Sequence, residues 1–188
     1  MPFSSSAASS SAVPSGSVIA VFQQQPSGVE RLAVAVATAG GVGLLPAAPG
    51  TFGAALGVAI FVLYSPLGLG ALGVLGLGLL GLGIWAAEAA ERSFGRKDDG
   101  RIVIDEVVGQ LAALAPLLAV GEGGPRSALG LVTGFVAFRV FDVWKPGPVR
   151  WAERSFRGGI GVMLDDVMAG LLAAAVVGGL AAFEAFPA

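Results

Sequence analysis

Long apolar runs separated by short polar joints divide this chain into helices. Leu32 to Ala39 has room for a short helix, closed by Gly40-Gly41 and Pro46. The segment GLLPAAPGTFG reads as a tight loop, with Thr51 as N-cap of a helix from Phe52 to Tyr64 that Ser65-Pro66 stops. A second apolar helix covers Leu67 to Glu91, and the polar loop RSFGRKDDGR leads to a third from Val103 to Val120. After the break GEGGPRS a fourth runs from Ala128 to Val143. The basic stretch WKPGPVRWAERSFRGG reads as a loop before a last helix from Ile160 to Phe183. No alternating strand pattern persists beyond RIVID. The expected architecture is an all-α, membrane-associated bundle of about five to six helices. It forms one domain over residues 31–188, behind a Ser-rich tail, residues 1–30, whose composition predicts disorder and lacks the pattern of a secretory signal.

Composition moves the bundle toward the bilayer. Hydrophobic residues make up 55% of the chain and charged residues 13%, against about 25% in soluble domains. Mean hydropathy is +0.81. Glycine is abundant, and Gly53/Gly57 and Gly130/Gly134 have the spacing that lets membrane helices approach closely. Gly68, Gly70 and Gly73 formally match GxGxxG, but no strand precedes them, so they mark no nucleotide site. A net charge of −2 gives no broad basic surface for nucleic acid.

Basic residues nevertheless cluster. Arg92, Arg96, Lys97 and Arg101 share one joint, and Lys145, Arg150, Arg154 and Arg157 another. Two crossings separate these joints, so both face one side, which the positive-inside rule makes cytoplasmic. The expectation is a multi-pass protein of the cytoplasmic (inner) membrane with its working face inward. Trp144 and Trp151 read as interfacial anchors, and Arg154 and Arg157 as contacts to anionic lipid. Nothing in the sequence pattern sets an oligomeric state.

The chemistry is narrowed by absence. The chain has no cysteine and no histidine, which excludes thiolate zinc sites, cysteine nucleophiles and imidazole bases. Five acids instead stand at the edges of apolar runs: Asp105 and Glu106 in IVIDEVVG, Asp142 in FRVFDVWKPGP, and Asp165 and Asp166 in GVMLDDVMAG. Acids there are costly unless a cation compensates them. Helix N-termini would favour Asp105-Glu106 and Asp165-Asp166 by about 0.3–1 kcal/mol, but not Asp142 near a helix C-terminus. All three clusters fall on the basic side, so they predict a shared carboxylate centre for a hard divalent ion such as Mg²⁺. Arg139 shares a helix face with Asp142, and Pro146 and Pro148 hold Lys145 and Arg150 near the acids. Metal beside Arg and Lys suits a phosphate ester. Pro49-Gly50-Thr51 at a helix start offers backbone N–H groups to phosphate or is a simple capped loop. Asp98 and Asp99 read as solvated loop acids, and Glu88 and Glu91 as the frayed end of a helix.

The segments GLLPAAPGTFGA, DDGRIVIDEVVGQ, FRVFDVWKPGPVRWAER and GGIGVMLDDVMAG, in this order, resemble the phosphatidylglycerophosphatase A family of bacterial lipid phosphatases over roughly residues 38–175. The resemblance implies Mg²⁺-dependent removal of the terminal phosphate of phosphatidylglycerophosphate, giving phosphatidylglycerol at the inner face of the membrane. The family's acidic positions fall on Asp105, Glu106, Asp142, Asp165 and Asp166, with Asp98 a weaker match, and its basic positions on Arg139, Lys145 and Arg150. These acids would serve as metal ligands and catalytic groups, with Arg139, Lys145, Arg150 and Thr51 on the phosphate. The water-attack and aspartyl-phosphate routes both stay open at this point. Two alternatives stand beside this one. A CDP-alcohol phosphotransferase would need D-G-x-x-A-R, yet Arg101-Ile102-Val103-Ile104 follow Asp99-Gly100. A small divalent-cation transporter would need its acids near the bilayer midplane.

Overall fold

The computed structural model describes residues 27–119 and 127–183. Most of the expected Ser-rich tail, residues 1–26, and the break carrying Glu122 and Arg126 lie outside the described residues. Among the described residues every regular element is helical. The elements are α1 (Gly28–Ala37), α2 (Pro49–Tyr64), α3 (Gly68–Phe94), α4 (Ile104–Leu114), α5 (Ala128–Trp144), α6 (Gly147–Ser155) and α7 (Gly158–Ala182), with short 3₁₀ turns between some of them.

Three helix starts differ from the sequence expectation, each for a local reason. α1 begins at Gly28, ahead of Leu32, because Ser27 and Glu30 form a capping box. The Ser27 hydroxyl accepts from the Glu30 N–H at 3.2 Å, and the Glu30 carboxylate accepts from the Ser27 N–H at 2.7 Å. α2 begins at Pro49, after Ala48 in a left-handed conformation with no side-chain cap. Thr51 is therefore inside the first turn and is not the N-cap. Proline at the first helical position needs no N–H partner, so it starts the helix without help from a hydroxyl. The basic stretch taken as a loop contains α6, whose Val149 and Ala152 are buried while Arg150, Trp151 and Arg154 face outward. Its short amphipathic pattern was hidden between prolines and charges.

α4 forms the centre of the bundle, packing on α7, α2, α5 and α3. Its only described residues short of full burial are Glu106 and Ala112. Glycines make this crowding possible. A Cβ on Gly170 of α7 would collide with the backbone of Gly109 on α4, and one on Gly109 would meet the Asp166 carbonyl at 2.6 Å. Gly53 and Gly57 of α2 sit against Val103 and Gln110, and Gly134 of α5 against Leu114, so the first expected GxxxG pair and one glycine of the second contribute to helix contacts. The start of α4 is pinned separately: the Val103 N–H donates to the Ala37 carbonyl at 2.9 Å.

The outer surface is apolar. Pro49–Phe94 (α2, α3 and the 3₁₀ turn between them) and Gly158–Ala182 are long and apolar enough to cross a membrane. Leu63, Val74 and Leu77 are more than 70% exposed, and no Cβ contact would limit Gly70, Gly73, Gly76 or Gly78. Exposed apolar surface on this scale is what a membrane-associated bundle presents to lipid. By contrast α4, with 11 residues, is about 16 Å long, well short of a full crossing of about 30 Å.

The α4–α7 contact yields a test. Gly170→Ala is expected to destabilise the protein by about 1–3 kcal/mol through overpacking. Gly76→Ala, in open space on α3, is expected to be neutral or stabilising by about 0.5–1 kcal/mol. Thermal unfolding of both variants in detergent checks the contrast; equal shifts would contradict the packing described.

Candidate active site

The acids converge from three helices at one end of the bundle. Asp105 and Glu106 lie in the first turn of α4, Asp142 in the last turns of α5, and Asp165 and Asp166 in the N-terminal half of α7. Carboxylate oxygens of Asp105, Glu106 and Asp166 all lie within 4.8 Å of one another. Asp105 and Asp166 are buried and Glu106 is nearly so. The Glu106 Oε2 atom is fully enclosed and has no hydrogen-bond partner. Coulomb's law makes three close carboxylates repel strongly in a medium of low dielectric, so the arrangement calls for a cation.

One protein cation is at hand. Arg139 of α5 pairs with Asp142 one turn away and reaches Glu106 at 4.0 Å. Asp142 also acts electrostatically on both Glu106 and Asp166, which joins it to the group. The start of α2 closes this side: a Cβ on Gly50 would collide with Glu106 Oε1 and stand 3.3 Å from Arg139 Nη1. Thr51 is half-buried in the same turn. The expected phosphate-binding N-terminus is therefore beside the acids, though Gly50, rather than Thr51, makes the close approach.

Asp165 belongs to a second subset. Its Oδ2 accepts from Lys145 Nζ at 2.8 Å, and its Oδ1 accepts from the Asp166 N–H at 3.1 Å. Lys145 also donates to Glu153 of α6 at 2.9 Å. Partial burial works against the Lys145 charge, but the hydrogen bonds and attraction of Asp165 and Glu153 prevail and raise its pKa above the ordinary lysine value. Lys145 is held there by backbone as well as charge, as the left-handed C-cap of α5. Arg150 is exposed on α6, with no carboxylate partner among the described residues. The five acids therefore share one end of the bundle without sharing one cage: Asp105, Glu106 and Asp166 form the close group, and Asp165 is committed to a lysine.

Several residues act differently from their sequence reading. Asp99 is buried, gripped by Arg101 through Nε at 2.7 Å and Nη2 at 2.9 Å. That grip outweighs burial and lowers the Asp99 carboxyl below its usual range. Arg101 in turn stacks on Phe94 at 3.7 Å. Glu88 accepts from the Gly159 N–H at 2.9 Å and so caps α7, besides pairing with Arg92. Gln110 and Glu153 escaped notice. Gln110 is fully buried one turn beyond Glu106, with both amide atoms unpartnered; a glutamine inside an apolar run was the available signal. Glu153 was concealed within what read as a basic loop.

Hard oxygen ligands with one clamped arginine suit a phosphate ester. The apolar bundle around them suits an ester presented at a membrane, the setting of a membrane-associated lipid phosphohydrolase. Comparison with known sequences agrees. A sequence model of the family described as Phosphatidylglycerophosphatase A matches residues 35–181. The chain is 34% identical to phosphatidylglycerophosphatase A of Escherichia coli K12 over 137 residues, covering 73% of this chain and 76% of that one. It is 33% identical to the Haemophilus influenzae Rd protein of the same name, over 73% of this chain and 81% of that one. A Bacteroides thetaiotaomicron protein, provisionally named a phosphatidylinositol-3-phosphatase, is 41% identical over 74% of this chain and 87% of its own length. No solved structure matches. The chain belongs to the phosphatidylglycerophosphatase A family and is a phosphoric monoester hydrolase of lipid metabolism. Membership in this family sets aside the phosphotransferase and transporter alternatives.

The contact at Gly50 is directly testable. Gly50→Ala is expected to push Glu106 aside and lower kcat by about 100-fold, the scale of a displacement of roughly 1 Å among reacting groups. Gly70→Ala, on the open face of α3, should leave turnover unchanged. Phosphate-release kinetics on the two variants, with circular dichroism as the check on folding, decide the point.

Proposed function

We propose that the chain is a Mg²⁺-dependent phosphatidylglycerophosphatase, removing the terminal phosphate of phosphatidylglycerophosphate to leave phosphatidylglycerol. The observation that carries this reading is the approach of Asp105, Glu106 and Asp166 to within 4.8 Å beside Arg139. The donor set fits Mg²⁺: all the ligands are carboxylate oxygens, the chain has no cysteine or histidine to offer in their place, and Glu106 Oε2 is a buried acceptor without a partner. Asp105, Glu106 and Asp166 would hold the ion, with Asp142 at the margin and Asp165 outside the close group. When bound, Mg²⁺ supplies positive charge to the phosphoryl oxygens and acidifies water, as it does in other metal-dependent phosphatases.

The chain's own residues orient and neutralise the substrate. Asp142 fixes Arg139, so the remaining guanidinium N–H groups meet a phosphate without an entropic search. The positive end of α2, at Pro49-Gly50-Thr51, faces the same point and favours an anion. Arg150, exposed on α6, suits the approach of an anionic head group, and Trp144 and Trp151, both well exposed, suit the headgroup layer of the membrane. The membrane is the cytoplasmic one and is crossed more than once, with the acid site on its inner face. The basic joints on either side of the α4–α5 pair support this orientation. Because α4 and α5 pack as a hairpin, the chain returns to its starting side whether or not the hairpin reaches the far side.

Asp166→Asn is expected to lower phosphate release from phosphatidylglycerophosphate by about 10³-fold while insertion into membranes is retained. Excess EDTA should silence the wild-type protein, and added Mg²⁺ should restore it. Near-normal turnover by the variant, or activity indifferent to EDTA, would contradict the proposal.

A further inference from the structure

Asp165 and Asp166 are successive residues on α7, so their side chains leave the helix about 100° apart. Asp166 turns into the group with Asp105 and Glu106. Asp165 turns into a cavity of about 210 Å³, lined also by Lys97, Asp98, Glu153, Phe156 and Val162. The cavity and the carboxylate group thus share the N-terminal half of α7 as a common wall. This space has room for several waters, which a small polar molecule can replace.

The wall has a distinct chemistry. Its charged lining residues are the acids Glu153, Asp98 and Asp165 and the cation Lys97. Lys97 adds an ammonium group to the lining, and Lys145, behind it, holds Asp165 and Glu153 with hydrogen bonds of 2.8 and 2.9 Å. Phe156 and Val162 supply an apolar side. Two residues here hold left-handed backbone conformations without being glycine, Asp98 at φ 49° and Lys145 at φ 48°. Asp98 is further tied down by its N–H, which donates to Glu91 at 2.6 Å. Aspartate enters this region more readily than most residues, and at Lys145 the left-handed turn closes α5. A cavity with carboxylate acceptors, a lysine and an apolar side, next to a phosphate site, suits the glycerol segment of a phosphorylated head group: its one free hydroxyl donates to a carboxylate, and its C–H faces lie on the aromatic ring.

We infer that this cavity is the head-group subsite, receiving the glycerol segment that carries the scissile phosphate, with Glu153 and Asp98 as residues that determine specificity. The inference rests on the phosphatase reading above and deepens it. It assigns Asp165 and Lys145 to positioning the glycerol side of the substrate, in place of the metal ligation and phosphate binding expected of them from sequence. It also locates the residues whose replacement would change which head group is accepted.

The test compares two soluble inhibitors of phosphatidylglycerophosphate hydrolysis: glycerol 3-phosphate, which carries a polyol, and inorganic phosphate, which does not. The double variant Asp98→Gly/Glu153→Ala removes both carboxylates, and glycine retains the left-handed backbone at position 98. Its inhibition constant for glycerol 3-phosphate is expected to rise about tenfold, the loss of one or two hydrogen bonds. The constant for inorganic phosphate should stay within about twofold, and the rise in KM for the lipid should exceed the fall in kcat. Should the double variant unfold, the single Glu153→Gln substitution is expected to shift the same ratio by about threefold. An unchanged ratio of the two inhibition constants in an active enzyme overturns the subsite and leaves the phosphatase reading intact. Absence of phosphate release by the wild-type protein overturns both.

Discussion

The structure depends on a repulsion that it holds in place. Asp105, Glu106 and Asp166 are brought within 4.8 Å of one another in a largely apolar bundle, where each would individually prefer water. Nothing in helix packing alone favours this. The close approach of Gly109 on α4 to Gly170 and the Asp166 carbonyl on α7 sets how near Asp105 and Glu106 come to Asp166. Arg139 offsets part of the charge, and in the proposed function a divalent ion offsets the rest. The site is best seen as a binding demand built into the packing, not as a set of side chains placed on a finished scaffold.

The same packing divides labour among acids that look equivalent. Asp165 and Asp166 are neighbours in the chain, yet one meets a lysine and a cavity while the other meets two carboxylates. Adjacent side chains leave a helix about 100° apart, which allows this division on α7, whereas Asp105 and Glu106, also adjacent, share one group at the start of α4. Lys145, held by Asp165 and Glu153, joins the end of α5 to α6 and α7, so the basic stretch acts as part of the framework. Arg139 does the corresponding service for α5 and α4. Two ion-pair systems therefore brace the polar end of a bundle whose other surfaces are apolar.

Membrane association follows from the distribution of exposure. Leucines and valines of α2 and α3 face outward, whereas α4 is short and buried. A soluble protein of this size would bear a large aggregation-prone patch if it presented these residues to water. Placed in lipid, the same face costs nothing, and the acid-bearing end can sit at the headgroup level, where a phosphorylated lipid displays its phosphate.

Much of this was written in the sequence. Hydropathy and polar joints determined an all-helical bundle, because apolar helices need length and spacing that a linear pattern records. Acids beside apolar runs, with cysteine and histidine absent, singled out the carboxylates that meet at one end of the bundle. The first GxxxG pair and Gly134 of the second also told truly of helix contacts, since a missing Cβ is a local fact with a packing consequence. Local signals were misread where two rules competed: proline at the start of α2 took the place of Thr51 as cap, and the turn Ser27–Glu30 extended α1 beyond the expected boundary. What only the tertiary structure decided was which acid faces which partner. The separation of Asp165 from Asp166, the burial of Asp99 under Arg101, the capping of α7 by Glu88 and the approach of Gly50 to Glu106 all join residues far apart in sequence or differing by a single helical step. Such pairings depend on helix rotation and crossing distance, which are set by the whole packed bundle and leave no periodic trace in any one segment.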